Sequence, residues 1–516
     1  MKSFLARFGS LFSLVLSGFD RLRFRGESRV LNNAKGVDRY LYEQKVKYIS
    51  FVEHTTDLTR RLSYQTEASA RAEGVPIKHL DSSRIDKQET CLELAREHGR
   101  TTGRIALVSA VENCVTYRMR TNKDGWMKPF KETRRCKAYY HYFLHEELGL
   151  CYVRVQTWFP FQIRVGINGR EWLARQLERH GVGFQKCDNL ILAVDDPDLA
   201  QQLLDQQRRI DWVRLLDDLV RPVQPLWGYL HGPAHVPYYW MTEQSEWATD
   251  FVFHSPDELA YWYKRWLRHG IDTLSCRDVM RYLGKKVPNL CKGEAKIDLR
   301  EREEGTRIKF WYETNSLKAY DKGRGRAVRL EDTINQPRGF KVYRTKEGEP
   351  EDAPKSWQPM RKGVADLDRR AEVSHAAVSR LAESLATVAD TTTLGELLKP
   401  LGEAVIKAGK RKGRPLNPLT GADGELLREL ARGDYLIKGF RNKDLRTALH
   451  GETDDSKERR RQSAAITRKL ALLKAHGLIV KVQKTHRYQL SARGRRITAA
   501  LSAAHQYDTN RFTTCV

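Results

Sequence analysis

Residues 458–490 read ERRRQSAAITRKLALLKAHGLIVKVQKTHRYQL, and the C-terminal fold turns on them. Ile466, Leu470 and Leu473 recur at the spacing of one buried helical face, which predicts a helix over 458–476. Gly477 stops it. An apolar strand at 478–482, a basic turn at 484–487 and a second strand at 488–490 then make a hairpin. Upstream, 424–431 and 442–449 carry two shorter amphipathic patterns. Three helices followed by a two-stranded wing predict a winged helix-turn-helix over 419–505.

The polar face of the third helix carries Arg460, Arg461, Ser463, Thr467 and Arg468. Arginine can bridge guanine edges in a major groove, and Ser or Thr can reach base or phosphate. The wing offers Lys484, His486 and Arg487 to phosphates or a minor groove. Just before the module lies Lys410-Arg411-Lys412-Gly413-Arg414-Pro415. This tract looks like an AT-hook core, in which Arg411 and Arg414 would enter a narrow A·T minor groove; a plain basic linker is the alternative. From Gly409 to the end there are 24 Lys or Arg against 10 Asp or Glu. That excess favours a polyanion over the other reading of such a module, a protein-binding winged helix with a solvated basic face.

The whole chain agrees. Its 516 residues carry a net charge of +26 with 40% hydrophobic residues, a globular composition whose positive charges repel one another without an anionic partner. DNA is the expected partner, a structured RNA the alternative. No apolar run is long enough to span a membrane. The run 11–16 follows Lys2 and Arg7 like a weak signal peptide, but it is short, lacks a small-residue cleavage site and leads into Arg21, Arg23 and Arg25. Eight cysteines without a C-x-x-C pair read as free thiols, and the expected location is the cytoplasm.

The N-terminal part alternates strands and helices, so the expected class is α+β. Residues 1–224 read as an α+β body, 225–344 as an aromatic-rich mixed domain packed on it, and 345–418 as a linker and helical connector. In 19–25, Leu22 and Phe24 alternate with Arg21, Arg23 and Arg25, the pattern of a half-buried strand. Helical patterns cover 36–72, 86–98, 171–180, 197–207, 212–220, 257–269, 363–385 and 393–407, with a small one near 276–283. Strands are expected near 105–110, 114–120, 137–143, 150–159, 161–167, 189–194, 307–312, 317–320 and 327–334, with a hairpin turn at Lys123-Asp124-Gly125.

Three constellations carry candidate chemistry. Cys136, His141, His145 and Cys151 invite a zinc reading, but on a strand the two histidines stand about 13 Å apart, too far for one ion. Asp20 at a strand start, with Glu331 and either Asp250 or Asp195, would form the clustered carboxylates of a two-metal nuclease or transposase using Mg2+ or Mn2+. Residues 315–335, NSLKAYDKGRGRAVRLEDTIN, faintly resemble rolling-circle replication initiators of phages and plasmids. The resemblance implies Tyr320 as the nucleophile on a DNA phosphodiester, Asp321 beside it, and Glu331 as a metal-binding strand carboxylate. The chain departs from that pattern in having no His-x-His pair. The alternative is a basic hairpin gripping a phosphate backbone, with Glu331 paired to Arg329 or Arg307. Interleaved aromatic and basic residues, including Arg154, Trp158, Arg164 and Tyr238-Tyr239-Trp240, could stack unpaired bases, although a core sheet shows similar aromatics. No P-loop, G-x-G-x-x-G or G-x-S-x-G motif is present.

The stretches GFDRLRFRG (18–26), QTWFPFQIRVGINGREWLARQL (156–177), QSEWATD (244–250), NSLKAYDK (315–322) and GFRNKDLR (439–446) together resemble a widespread family of uncharacterised bacterial proteins with a MarR-like winged helix. The resemblance implies a gene associated with mobile elements and assigns no catalytic residue. The expectation is a nucleic-acid-binding protein. Its winged helix would recognise duplex DNA while the body binds or processes a second DNA or RNA strand, as a metal-dependent nuclease, nickase or transposase-like enzyme if it cuts. The alternatives are a non-enzymatic partner of a structured RNA and a transcription regulator.

Overall fold

The computed structural model describes residues 1–28, 31–231, 238–273, 282, 294–298, 307–323, 325–346, 348–350, 352–388, 394–407, 410–431, 435, 439–482 and 485–506. The fold is α+β, as expected. The chain forms two compact units. One comprises Leu16–Ala248 and Thr333–Glu372, the other Met1–Val15, Thr249–Asp332 and Val373–Val516.

The first of these units is a sheet with helices packed on it. Its strands are β1 (Phe12–Glu27), β2 (Ile77–Leu80), β3 (Gly103–Thr121), β4 (Met127–His145), β5 (Gly149–Gln156), β6 (Ile163–Asn168) and β9 (Tyr239–Phe253), with a small separate hairpin β7 (Phe184–Cys187) and β8 (Leu190–Val194). The hydrogen-bonded order is β9-β1-β6-β5-β4-β3-β2. The pairs from β1 to β3 are antiparallel and β2–β3 is parallel. The two strands expected at 105–110 and 114–120 are one long strand, which turns at Gly125 (φ +81°) into β4. In β1, Leu22 and Phe24 are buried while Arg21 and Arg23 are exposed, the alternation read from the sequence. The helix Lys87–Glu97 covers β3 and β4: Cys91 and Ala95 pack against Ile105, Ala106, Val108 and Ala138.

The other unit carries β10 (Glu294–Asp298), β11 (Arg307–Tyr312), β12 (Asn315–Lys322) and β13 (Ala327–Ile334). There the order is β10-β11-β12-β13-β9-β1. An aromatic cluster of Phe4, Phe8, Phe12, Phe251 and Trp266 holds the N-terminal helix Lys2–Phe8 in place. The apolar run 11–16 that imitates a signal peptide lies mostly in β1. Short hairpins β14 (Lys341–Arg344) with β15 (Ser356–Pro359) and β16 (Val405–Lys407) with β17 (Lys410–Gly413) complete the connections. The helical pattern at 393–407 yields only Leu394–Leu398, because Pro400 lies in the following 3-10 turn Lys399–Leu401 and the chain then enters β16. The small helix expected near 276–283 falls outside the described residues except at Tyr282. No helix among the described residues is long and apolar enough to cross a membrane.

The C-terminal module has the element order expected from the sequence. Helices Gly421–Ala431, Asn442–His450 and Ser456–Ala475 precede β18 (Ile479–Lys481) and β19 (Tyr488–Leu490), and the helix Ala492–Gln506 closes it. Asp455 caps the third helix by accepting the Lys457 N–H at 2.9 Å. Ile466, Leu470 and Leu473 are buried with Leu426, Leu430, Leu445, Leu478, Leu490, Ile497 and Leu501. Phe440 exchanges two backbone hydrogen bonds of 2.8 Å with Tyr488, adding a one-residue third strand to the hairpin. Gly439 makes that possible: its φ is +63°, and a Cβ there would lie 2.0 Å from the Tyr488 carbonyl oxygen.

Candidate nucleic-acid interface and carboxylate centre

The second and third helices of the C-terminal module and its hairpin enclose an open cleft of about 520 Å³. Arg441, Lys443, Arg446, Arg459, Lys481 and His486 line it, together with Asn442, Ser463 and Thr467. Asn442 is the hinge pin of the two helices. Its side-chain amide donates to the Ser463 carbonyl (2.8 Å) and the Thr467 hydroxyl (3.0 Å), and its oxygen accepts from the Ser463 hydroxyl (3.0 Å). Ser463 and Thr467, expected to read bases, are thus committed to locking the helices together. The cations Arg441, Lys443 and Lys481 were missed because only the third helix and the wing tip were read as binding elements.

Arg446 is buried, and its Nη1 has no acceptor among the described residues. Arg460 and Arg468 lie one strip around the helix, exposed and without a hydrogen-bond partner among the described residues. Arg461 is exposed too but forks onto Glu458 at 2.8 and 2.9 Å, which holds the Glu458 carboxyl below the usual carboxylate range. Arg487 and His486 stand on the hairpin, and Lys484 lies outside the described residues. The AT-hook reading fails at Arg414. Its guanidinium is bidentate to Asp423 at 2.7 Å on each oxygen, so it staples the tract to the first helix instead of being offered to a groove. Arg411 sits in β17, paired in a hairpin, where an AT-hook would be extended and free.

The second candidate is polar chemistry buried in the sheet. On β12 and β13, Tyr320 donates its phenol hydrogen to Glu331 Oε2 at 2.6 Å, and Lys318 Nζ meets Glu331 Oε1 at 2.6 Å. Tyr320 and Glu331 are 4% and 2% exposed. Burial pushes the Glu331 carboxyl up, but Lys318, the Tyr320 hydroxyl and nearby Arg329 outweigh it and hold the group ionised well below its ordinary range. Lys318 is a partner of Glu331 that the sequence reading did not name. Arg329 instead grips both oxygens of Asp250, one at 3.0 Å, which corrects the expectation of Asp250 as a metal ligand. Asp321 is a turn residue: it accepts the Gly325 N–H at 3.0 Å, and burial raises its pKa. Asp195 is exposed.

Within the first unit, carboxylate oxygens of Asp20 and Glu246 lie within 4.8 Å of one another. They stand on β1 and β9. Glu246 stands beside Asp20 where the sequence reading had named Asp250 or Asp195. In QSEWATD the two acids, Glu246 and Asp250, are four positions apart and share a strand face, so alternation alone does not choose between them. Asp20 also accepts from Asn189 Nδ2 at 2.6 Å. Carboxylate oxygens are hard donors of the kind that Mg2+ or Mn2+ takes.

The zinc set does not assemble. His141 is fully buried, takes a 3.2 Å hydrogen bond from Arg104, and is pushed down to a pKa of about 3 by burial and by the Arg104 charge. The His145 ring instead accepts the Glu147 and Leu148 N–H groups.

No protein-family model, curated protein or solved structure matches this chain.

Proposed function

We propose that the protein binds duplex DNA through its C-terminal module, used as a winged helix. The observation that carries this reading is the cleft between the second helix, the third helix and the hairpin, with five Lys or Arg on its walls and no acidic residue among those lining it. Recognition helices of this architecture lie in the major groove while the hairpin contacts the backbone. Phosphates would satisfy Arg441, Lys443, Arg446, Arg459 and Lys481, and Arg460 and Arg468 would reach base edges or the far strand. The test is binding of labelled duplex DNA by the full chain across a salt series, with an Arg459→Ala/Lys481→Ala variant. Loss of salt-sensitive affinity is expected, and equal affinity for both proteins overturns the reading. The family resemblance and the association with mobile elements belong to the same proposal.

A second reading concerns the body and is favoured by Tyr320 beside Glu331. Here the body cuts and rejoins a DNA strand. Tyr320 Oη attacks a phosphodiester phosphorus, the bond from phosphorus to the leaving sugar oxygen breaks, and the Tyr320 proton passes by way of the Glu331 carboxylate to that oxygen, which departs as a hydroxyl. Bond energy is conserved in a phosphotyrosyl link, so no other reactant is needed. A bound Mg2+ or Mn2+ would supply charge stabilisation for the phosphoryl oxygens. Because Tyr320 is buried, the reading requires the sheet's cover to open for the strand. Incubation with labelled single-stranded DNA and Mn2+ should leave a covalent adduct that Tyr320→Phe abolishes; an adduct that survives Tyr320→Phe, or none with the wild type, overturns it.

A further inference from the structure

The face of the sheet beside the helix Lys87–Glu97 carries two side-by-side rows of residues that cross four strands. Register places Tyr142, Tyr152, Gly166 and Arg23 in one row and Tyr140, Arg154, Arg164 and Arg25 in the next. The rings of Tyr142 and Tyr152 lie 5.5 Å apart at 34°, and Tyr140 is 5.8 Å from Tyr152. Gly166 shapes this surface: a Cβ there would come within 2.1 Å of Tyr152 Cε1, so only glycine lets the ring lie flat across β6. Above the rows is an open cleft of about 360 Å³.

The charges in the cleft are unevenly satisfied. Glu112 accepts from Tyr140 (2.7 Å) and Arg154 (3.1 Å) and lies 3.4 Å from Lys87, so it accounts for those cations. Asp86, the acid lining the cleft, is committed to capping the helix, where it accepts the Glu89 N–H at 3.0 Å. Arg164 meets Glu243 at 3.1 Å through one nitrogen, while its buried Nε has no partner. Arg23 is exposed and has no hydrogen-bond or ion-pair partner among the described residues. Flat aromatic rings flanked by unmatched guanidinium groups are what a sequence-tolerant single-strand surface needs: rings for bases, cations for the intervening phosphates.

We infer that this sheet face binds an unpaired DNA segment, with a base stacked on Tyr152 and the flanking phosphates on Arg23 and Arg164. The inference rests on the reading that the chain works on DNA, and extends it to a second, unpaired strand.

The test uses the full chain, a labelled poly(dT) oligonucleotide and, separately, labelled duplex DNA. Base–aromatic stacking predicts that Tyr152→Leu weakens poly(dT) binding by roughly 5- to 150-fold. Arg23→Ala lies on the surface and leaves the fold intact; it should weaken binding and reduce the salt slope for poly(dT) by about 0.7. Both variants should keep wild-type duplex affinity, and a wild-type urea-unfolding curve reports that the sheet is folded. Unchanged poly(dT) affinity in both variants overturns the inference, as does tighter binding of poly(U) than of poly(dT). Should duplex binding be absent while poly(dT) binding falls in the variants, the C-terminal reading fails and this one stands.

Discussion

Replacing Arg460 and Arg468 together with alanine should lower the salt dependence of duplex binding without unfolding the module. Both side chains are exposed on the third helix and make no hydrogen bond among the described residues, so their loss removes charge and little else. Each phosphate neutralised contributes about −0.9 to the slope of log affinity against log salt. With Arg441, Lys443, Arg446, Arg459 and Lys481 from the cleft and these two from the next strip, seven contacts give a slope of about −6.3, a loss of about six-thousandfold between 50 and 200 mM salt. The double variant should shift whatever slope the wild type shows by about 1.8 toward zero. Fluorescence anisotropy of a labelled duplex, titrated with the full chain at five or so KCl concentrations, reads this directly. A slope identical to the wild type would refute the placement of this helix on DNA. A changed slope with an equal loss on every sequence would assign both arginines to phosphates; a loss concentrated on one sequence would assign them to base edges.

Other outcomes follow from the buried contacts. Asn442→Ala removes three hydrogen bonds between the second and third helices and should destabilise the module by about 1–3 kcal/mol, visible in urea unfolding. Arg329→Ala strands the buried Asp250 carboxylate and should cost about 3–5 kcal/mol, whereas Arg329→Met with Asp250→Leu should recover most of it. His141 is buried neutral with its pKa lowered to about 3, so the unfolded chain binds the extra proton between pH 3 and about 6.5. Stability should therefore fall on acidification through that window, by about 1.4 kcal/mol per pH unit from this group, and His141→Gln should remove that component. For Glu331 the folded pKa is depressed, so its contribution is present above about pH 4.3 and is lost as pH falls through the folded value; Glu331→Gln should flatten unfolding curves below pH 4.

Local patterns carried much of the architecture. The spacing of Ile466, Leu470 and Leu473 foretold the third helix because a helix that packs on one side must repeat near every 3.6 residues. The alternation in 19–25 foretold β1 for the same reason at a period of two. What escaped reading was pairing over distance. Glu246 comes beside Asp20 only because β9 neighbours β1, an order that no local pattern encodes. Arg414 looked available until Asp423, nine positions on, came back to it across the start of the first helix. Asn442 looked like an ordinary helix-start residue, and only the crossing of two helices turns it into a clasp for Ser463 and Thr467.

The strand β1 shows why the two chemistries of the sheet are physically linked. Successive side chains on a strand point to opposite faces. Asp20, Leu22 and Phe24 therefore go to the covered side, while Arg21, Arg23 and Arg25 go to the open one. A buried carboxylate is costly unless paired, and Asp20 has Asn189 as one donor. An exposed arginine is cheap to keep, and Arg23 has no hydrogen-bond or ion-pair partner among the described residues. A one-residue slip of β1 against β6 would exchange the two sets, placing three guanidinium groups among Leu and Phe and exposing the acid to water. Neither arrangement of charge can therefore be varied by shifting the strand; each must be tested by changing side chains in place. If Asp20→Asn lowers Mn2+-dependent adduct formation while leaving poly(dT) affinity untouched, the two faces act separately. Should Asp20→Asn instead abolish both, the acid's role is to hold β1 in register, and the reading of the carboxylates as a metal centre falls with it.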